Sequence, residues 1–514
     1  MDQVLAIKAV LRGDKLAPLA EVFEVLASRP HGAVQAVSQA MRRLGMAGLL
    51  GPDCRDRDRV LAMVAARIVA PHTKLATTRW WSATTLAEDF AVADADEQDL
   101  YAAMDWLLAR QDKIQKKLAA RHLHAGGVVL YDLSSSYFEG TCCPLARRGY
   151  SRDGKKGTLQ VNYGLVTDHR GCPVAVSVHE GNTADSATLL PIVEKVRRDF
   201  AVERFVIVGD RGMISQKAID QIKNTGGVDW ITALRSASIR ALVEQRALQL
   251  DLFDERNILE LSHPDYPGER LVACRNPQLA KLRARVDAGR LAGQDKIGLA
   301  LGKIVNRYKM AKHFQLDIGD GAFTFRRRSD TIAAEAALDG LYVIRTAIAA
   351  DRMDAQQCVR NYKNLSRVER AFRTIKTVDL KVRPIHHRLA DRVRAHILLC
   401  MLAYYVEWHM REAWRELLFA DPWLVTKPRD QDAKLTRDPV APATRSAEAE
   451  RKAITHTLAD GTPAHSFATL MAEMATIVRN TCRTPRVGDR TFQIITRPNR
   501  KQAKALALID AIKL

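Results

Sequence analysis

Two short β-branched runs, each ending at a carboxylate, constrain this chain more than any other feature. Gly127–Tyr131 is an apolar run followed by Asp132, and Arg204–Gly209, reading RFVIVG, is followed by Asp210. Short apolar runs without alternation fit strands covered on both faces. Each predicts a buried strand that presents an acid at its C-terminal end. The plainer reading of Asp132 is a residue that caps a turn with Ser134–Ser136. Between the two runs, Leu159–Thr167 and Cys172–His179 are joined by Asp168-His169-Arg170-Gly171, a hairpin signal. A helix over Ser186–Phe200, capped by Thr183 or Asp185, a helix at about Ser215–Asn224 and a strand at Asp229–Ala233 complete the series. Three strands, helix, strand, helix, strand predicts an α/β fold, a mixed sheet with helices packed on it.

A third acid stands on a different kind of segment. Asn361–Thr377 reads as one helix on which Tyr362, Glu369 and Lys376 recur at seven and share a face with Phe372 and Arg373. A solvated helix with a Glu369–Arg373 ion pair, worth about 0.2–0.5 kcal/mol, is the bland reading. A helix this basic calls instead for a polyanion or many acids nearby. Two carboxylates at strand ends and one on a helix match a two-metal phosphoryl-transfer site, in which hard oxygen ligands hold two Mg²⁺ ions about 3.5–4 Å apart. No local spacing joins the three acids; only the order of the sheet does.

Charge narrows the partner. With 79 Lys and Arg against 59 Asp and Glu the net charge is +20, spread over several segments, which favours nucleic acid; a ribosomal or anionic-lipid partner would suit the charge alone. No run approaches a membrane span and the N-terminus lacks a secretory pattern, so no membrane and a cytoplasmic, nucleoid-associated location are expected. Eight cysteines without a CxxC or short Cys/His spacings argue against a disulfide framework and a zinc module, and Cys142 and Cys143 read as free thiols. His386, His387 and His396 also lack zinc spacing and read as phosphate or packing groups.

The segments YDLSSSYFEG, QVNYGLVTDHRGCPVAVSVHEGNTADSATL, VGDRGM and YKNLSRVERAFRTIK resemble the DDE transposases of bacterial insertion sequences, in the cut-and-paste group with a Tyr-Arg-Glu-Lys signature. The resemblance implies a ribonuclease-H-like mixed-sheet core with Asp132, Asp210 and Glu369 as the catalytic, metal-binding triad. It also implies two Mg²⁺ ions, with Mn²⁺ able to substitute, and double-stranded DNA, both terminal inverted repeats and target, bound by a homodimer on paired ends. The signature lands on Tyr362, Leu365, Glu369 and Lys376, so Leu365 departs from the expected Arg, and the lost phosphate contact is assigned to Arg373.

Other DNA contacts are expected from Arg152, Lys155 and Lys156 in the loop after the first strand. Lys74 and Arg79 in PHTKLATTRWW are added to them, where Trp80 and Trp81 either stack on bases or pack. The expected division is a helical DNA-binding domain at 1–122, beginning with a helix over Leu19–Leu26, and a first core part at 123–234. A β-rich insertion at 235–340 and a second core part at 341–424 follow, then a linker at 425–452 and an α+β C-terminal region at 453–514, assigned to subunit pairing by analogy. Within the insertion, strands near Asn257–Leu261, Arg270–Cys274 and Gly321–Arg327 and helices over Leu279–Leu291 and Asp295–Lys309 are expected. The resemblance also implies an aromatic residue that holds a flipped base; Trp230, just before the insertion, and Tyr308, Phe314, Phe323 and Phe325 inside it are the candidates, with packing the plainer role. Two rival functions remain: a nuclease of the same fold that cuts without joining, and a non-catalytic DNA-binding protein.

Overall fold

The computed structural model describes residues 8, 11–13, 24–155, 157–245, 258–275, 314–319, 322–327, 341–419, 456–458, 460–484 and 490–513. Lys156, Tyr308, the helices expected at 279–291 and 295–309 and the linker expected at 425–452 lie outside these residues.

Where the helix expected over Leu19–Leu26 reaches the described residues, the chain is a strand instead, β1 (Glu24–Pro30). Its ladder partner comes from the far end of the chain, which no local pattern reveals. Seven helices follow: α1 (Gly32–Arg43), α2 (Met46–Leu50), α3 (Arg55–Val69), α4 (Lys74–Ser82), α5 (Leu86–Asp89), α6 (Glu97–Leu108) and α7 (Gln111–His122). Asp96 and Asp99 form a reciprocal capping box at the start of α6, and Thr73 caps α4 through the Ala76 N–H.

The central sheet takes β2 (Val128–Tyr137), β3 (Arg147–Arg148), β4 (Leu159–Asp168), β5 (Pro173–Glu180), β6 (Phe205–Val208), β7 (Val228–Ala233), β8 (Ile258–Leu261), β9 (Arg270–Arg275) and β12 (Leu341–Thr346). Their order is β3-β4-β2-β6-β7-β12-β9-β8, with β5 also on β4. The pairs β2/β6 and β6/β7 are parallel and the others antiparallel. β8 and β9 lie inside the stretch expected to be an insertion, yet they extend this sheet beyond β12. The hairpin β10 (Phe314–Gly319) with β11 (Ala322–Arg327) pairs only with itself.

The connecting helices are α8 (Asp185–Arg198), α9 (Gln216–Thr225) and α10 (Ser236–Glu244). The expected apolar face of α8 is buried at Leu189, Ile192, Val193 and Val196, but its cap position is Ala184, not Thr183 or Asp185. The segment around Glu369 is not one helix. It divides into α11 (Ala355–Lys363) and α12 (Leu365–Arg373), and a π-helical turn over Thr374–Val378 follows. Next, α13 (Ala390–Ala413) is buried along most of its length. It packs against α3 and α6 on one side and β5 on the other, so one apolar core runs from the helical part into the sheet.

At the C-terminal end, α14 (Phe467–Met474), β13 (Val478–Thr484), β14 (Arg490–Ile495) and α15 (Arg500–Asp510) return to the N-terminal part. β1 pairs antiparallel with β13, and β13 with β14. The Gly32 N–H donates to the Ile477 carbonyl at 2.9 Å, and a Cβ on Gly32 would meet Met474 O at 2.3 Å, so only glycine fits. Among the described residues no helix is long and apolar enough to cross a membrane.

Candidate active site

Register brings the first two acids together. The parallel pairing of β2 with β6 ends at Leu130 opposite Val208, and Asp132 and Asp210 each stand two residues further on. Neighbouring strands lie about 4.7–4.9 Å apart, so the two carboxylates leave the sheet side by side. Asp210 sits beyond the end of β6, as its sequence predicts. Asp132 does not end its strand: β2 continues through Leu133–Tyr137, paired to β4 as far as Tyr137 opposite Gln160. The serines that suggested a turn are ladder residues, and Ser136 Oγ lies 2.9 Å from the Tyr163 hydroxyl.

The third acid arrives on α12, which packs across β2. Val368, Ala371 and Phe372 are its buried residues, and Phe372 meets Tyr163 of β4 edge-on at 5.7 Å between ring centroids. Glu369 and Arg373 are exposed on the other side. Burial pushes the Asp132 carboxyl up to about 7, and the negative charges of Glu369 and Asp210 push the same way against the Leu133 N–H and Arg152. Asp132 thus feels the charge of both other acids. The Leu133 N–H donates to Asp132 Oδ1 at 2.8 Å and the Arg211 N–H to Asp210 Oδ1 at 2.6 Å. Among the described residues none of the three is in an ion pair, including the Glu369–Arg373 pair considered from sequence.

The cations expected around them divide. Arg373 is exposed one helical turn from Glu369. Arg152 lies near Asp132, but its guanidinium is bonded to Asp185, which gives Asp185 a pairing role. Lys376 does not share the outer face: the π turn widens the backbone, and Lys376 points inward to Asp153 Oδ1 at 2.7 Å and Ser134 Oγ at 3.1 Å. Arg383 also pairs with Asp153, whose side chain is 1% exposed. Tyr137, Lys155, Lys376, Lys381 and Arg383 line a cavity of about 300 Å³ around that acid, with Lys155 Nζ 3.5 Å above the Tyr137 ring. Asp153, Lys381 and Arg383 were missed from sequence: Asp153 reads as one charge in a cationic loop, and the two cations sit in a turn with no pattern of its own.

Tyr362 and Leu365 are partly buried against the core, so the residue at the expected Arg position serves packing. Far from the acids, Arg79 is exposed but Lys74 is 5% exposed. Burial, aided by Arg67, pushes the Lys74 ammonium down to about 7, so the expected backbone contact by Lys74 is corrected to an interior position. Trp81 is fully buried, and there the packing alternative holds. Trp230 is 2% exposed, also a packed residue.

A family model described as "Transposase DDE domain" matches residues 126–406, more than half of the chain. No curated protein sequence matches. Among solved structures, the piggyBac transposase synaptic complex with hairpin DNA is similar at 8% identity and a TM-score of 0.36, covering 86% of this chain and 77% of that one. The Mos1 transposase paired-end complex with left transposon end gives 12% identity and a TM-score of 0.15 over 37% of this chain and 62% of that one. Neither superposition is close enough to transfer a feature to this chain.

Proposed function

Because this chain belongs to the DDE transposase family, we propose that it cuts DNA at the terminal inverted repeats of an insertion sequence and joins the freed 3′ hydroxyl to target DNA, in the cut-and-paste manner of the Tyr-Arg-Glu-Lys group. The observation that carries the site is the convergence of Asp132, Asp210 and Glu369 with no ion-pair partner among the described residues. Three carboxylates in one partly desolvated volume repel one another unless a proton or a cation joins them. Their oxygens, one already held by a backbone N–H in Asp132 and one in Asp210, are hard donors suited to Mg²⁺ or Mn²⁺. When bound, two such ions supply activation of the attacking oxygen and stabilisation of the leaving oxygen.

In this reading the chain's own residues bind and orient. Asp132, Asp210 and Glu369 would together hold the cations. Arg373 holds a phosphate beside the scissile bond from the exposed side of α12. Lys155, Lys381 and Arg383 receive the phosphates that follow, while Asp153 keeps Lys376 and Arg383 in place. Hydrolysis breaks the bond between phosphorus and the 3′ oxygen. In transfer that oxygen forms a new bond to a target phosphorus, and the target's own 3′ oxygen leaves.

The parallel β2-β6-β7 arrangement with β4 and β5 antiparallel at one side supports a ribonuclease-H-like core. The insertion proper then begins after β9, because β8 and β9 belong to the sheet. The remaining division is proposed as expected, with the helical N-terminal part gripping DNA, the C-terminal region serving a homodimer on paired ends, and the protein acting at the nucleoid.

The test is cleavage in Mg²⁺ of a plasmid carrying the DNA that borders this gene, comparing wild type with Glu369→Gln. Border cuts and strand-transfer products by wild type alone support the proposal. Cuts without joined products reduce it to a nuclease, and binding without cutting by either protein overturns it in favour of a non-catalytic DNA-binding protein.

A further inference from the structure

Three potential ligand atoms from separate elements meet away from the three acids' own segments. His122 ends α7, Cys172 follows the turn between β4 and β5, and His409 lies near the end of α13. The Cys172 Sγ is 4.0 Å from His122 Nε2 and 3.8 Å from His409 Nε2, and all three atoms lie within 4.8 Å of one another. Among the described residues this is the one such group of His, Cys, Asp and Glu. A tetrahedral cation with bonds of about 2.3 Å to sulfur and 2.0–2.1 Å to nitrogen separates S from N by about 3.6 Å. The two sulfur–nitrogen distances are within a few tenths of an ångström of that value, and the two imidazole nitrogens, which lie within 4.8 Å of each other, close to about 3.3 Å on binding.

We propose that His122, Cys172 and His409 bind a thiophilic divalent cation, Zn²⁺ in the first instance, at a site independent of the acid cluster. One thiolate and two imidazoles are the donor set that selects Zn²⁺ over Mg²⁺. A cavity of about 650 Å³, lined by His122, Arg170, His409, Glu412, Leu508 and Ile512, opens beside the donors and leaves room for a fourth ligand, water or the Glu412 carboxylate. The thiol proton passes to solvent on binding. The Tyr405 hydroxyl, 3.0 Å from His122 Nε2, gives up that hydrogen bond when the cation takes the nitrogen. Behind the sulfur, Asp168 accepts the Cys172 N–H at 2.9 Å and adds negative charge, which offsets Arg170 and Arg121.

Such a cation would tie the last N-terminal helix to the sheet and to α13. It would also stiffen the β4–β5 turn, where Gly171 has φ of +86° and the His169 carbonyl accepts from Arg367 of α12 at 3.0 Å. The site thus braces the helix that carries Glu369.

The test strips the full-length protein with a chelator and titrates it with Co²⁺. Binding at carboxylates gives only weak visible bands, whereas a thiolate ligand adds an intense near-ultraviolet charge-transfer band. One equivalent is expected to produce that band and Zn²⁺ to bleach it. Cys172→Ser should abolish it, His409→Gln should weaken Co²⁺ binding at least tenfold, and Cys142→Ser should change nothing. Should Cys172→Ser misfold, zinc-edge X-ray absorption of the wild type replaces it, with one sulfur at about 2.3 Å expected. No band in the wild type, a band that survives in Cys172→Ser, or a zinc shell of oxygen and nitrogen alone would overturn the proposal.

Discussion

Two groups of carboxylates, one including Glu369 on α12 and the other Asp379 just after the π turn, are treated in opposite ways. Asp379 and Glu407 share Arg411, whose Nη2 is 2.6 Å from Asp379 Oδ2 and whose Nε is 2.7 Å from Glu407 Oε1. Glu407 is fully buried, and burial with the Asp379 charge pushes it up to about 8, so it holds a proton at neutral pH. One proton and one guanidinium balance that group internally. Among the described residues, Asp132, Asp210 and Glu369 have no ion pair and no such internal balance. A closed charge cluster balances itself; an open one does not.

The comparison breaks first at the open cluster. Asp132→Asn, Asp210→Asn or Glu369→Gln should each lower DNA cleavage by roughly a thousandfold or more, the several kcal/mol that divalent cations contribute. Thermal unfolding without added metal should show no loss of stability, because one member of a repelling set is gone. A large loss of stability would put these acids in the same class as the closed group.

The closed cluster should respond in the reverse sense. Arg411→Met leaves two buried acids without their cation and should cost about 3–5 kcal/mol in urea unfolding. Lys74 extends the contrast to a cation: it is buried near Arg67, His387 and His396, and its folded pKa is lowered from 10.5 to about 7. The unfolded chain then binds more protons between about pH 7 and 10.5, so wild-type stability is reduced at neutral pH and recovers as pH rises through that window. Lys74→Met should stabilise by about 2 kcal/mol near pH 7, with the gain fading toward pH 10.5, read from denaturant unfolding across the window.

Lys376→Met takes one of two cations from buried Asp153 and should cost about 1–3 kcal/mol, with Arg383 retained as partner. The smallest stability effects belong to exposed Arg79 and Arg373. Their alanine variants should unfold within about 0.5 kcal/mol of wild type. DNA affinity should nevertheless fall, and for Arg373→Ala the slope of log K against log salt should drop by about one.

How much of this was legible follows from distance along the chain. Asp210 was placed correctly because β6 is a short run covered on both faces, a pattern complete within six residues. Asp132 is expected at a strand end, since three serines resemble a turn until the β4 ladder is seen to pair them. The Tyr362, Glu369 and Lys376 face assumed an unbroken 3.6-residue period, which the break at Asn364 and the π turn remove. Glu369 still falls on a helix as expected, because that helix is regular. Lys74 looked like a surface cation because sequence gives charge without burial. The His122, Cys172 and His409 group was out of reach: its members come from three elements, and a search for short Cys and His spacings passes over them.

The sheet that joins the two ends of the chain sets an order on its manufacture. Glu24 of β1 and Arg483 of β13, bonded at 2.8 Å, are 459 positions apart. At about 5–20 residues per second, β1 leaves the ribosome roughly 25–90 s before the strand that covers it. Until then Val25 and Leu26, still 52% and 46% exposed in the finished fold, stand on an open edge. Any copy that stops short of residue 478 keeps that edge for good, so early termination yields a chain prone to self-association, not a smaller working enzyme.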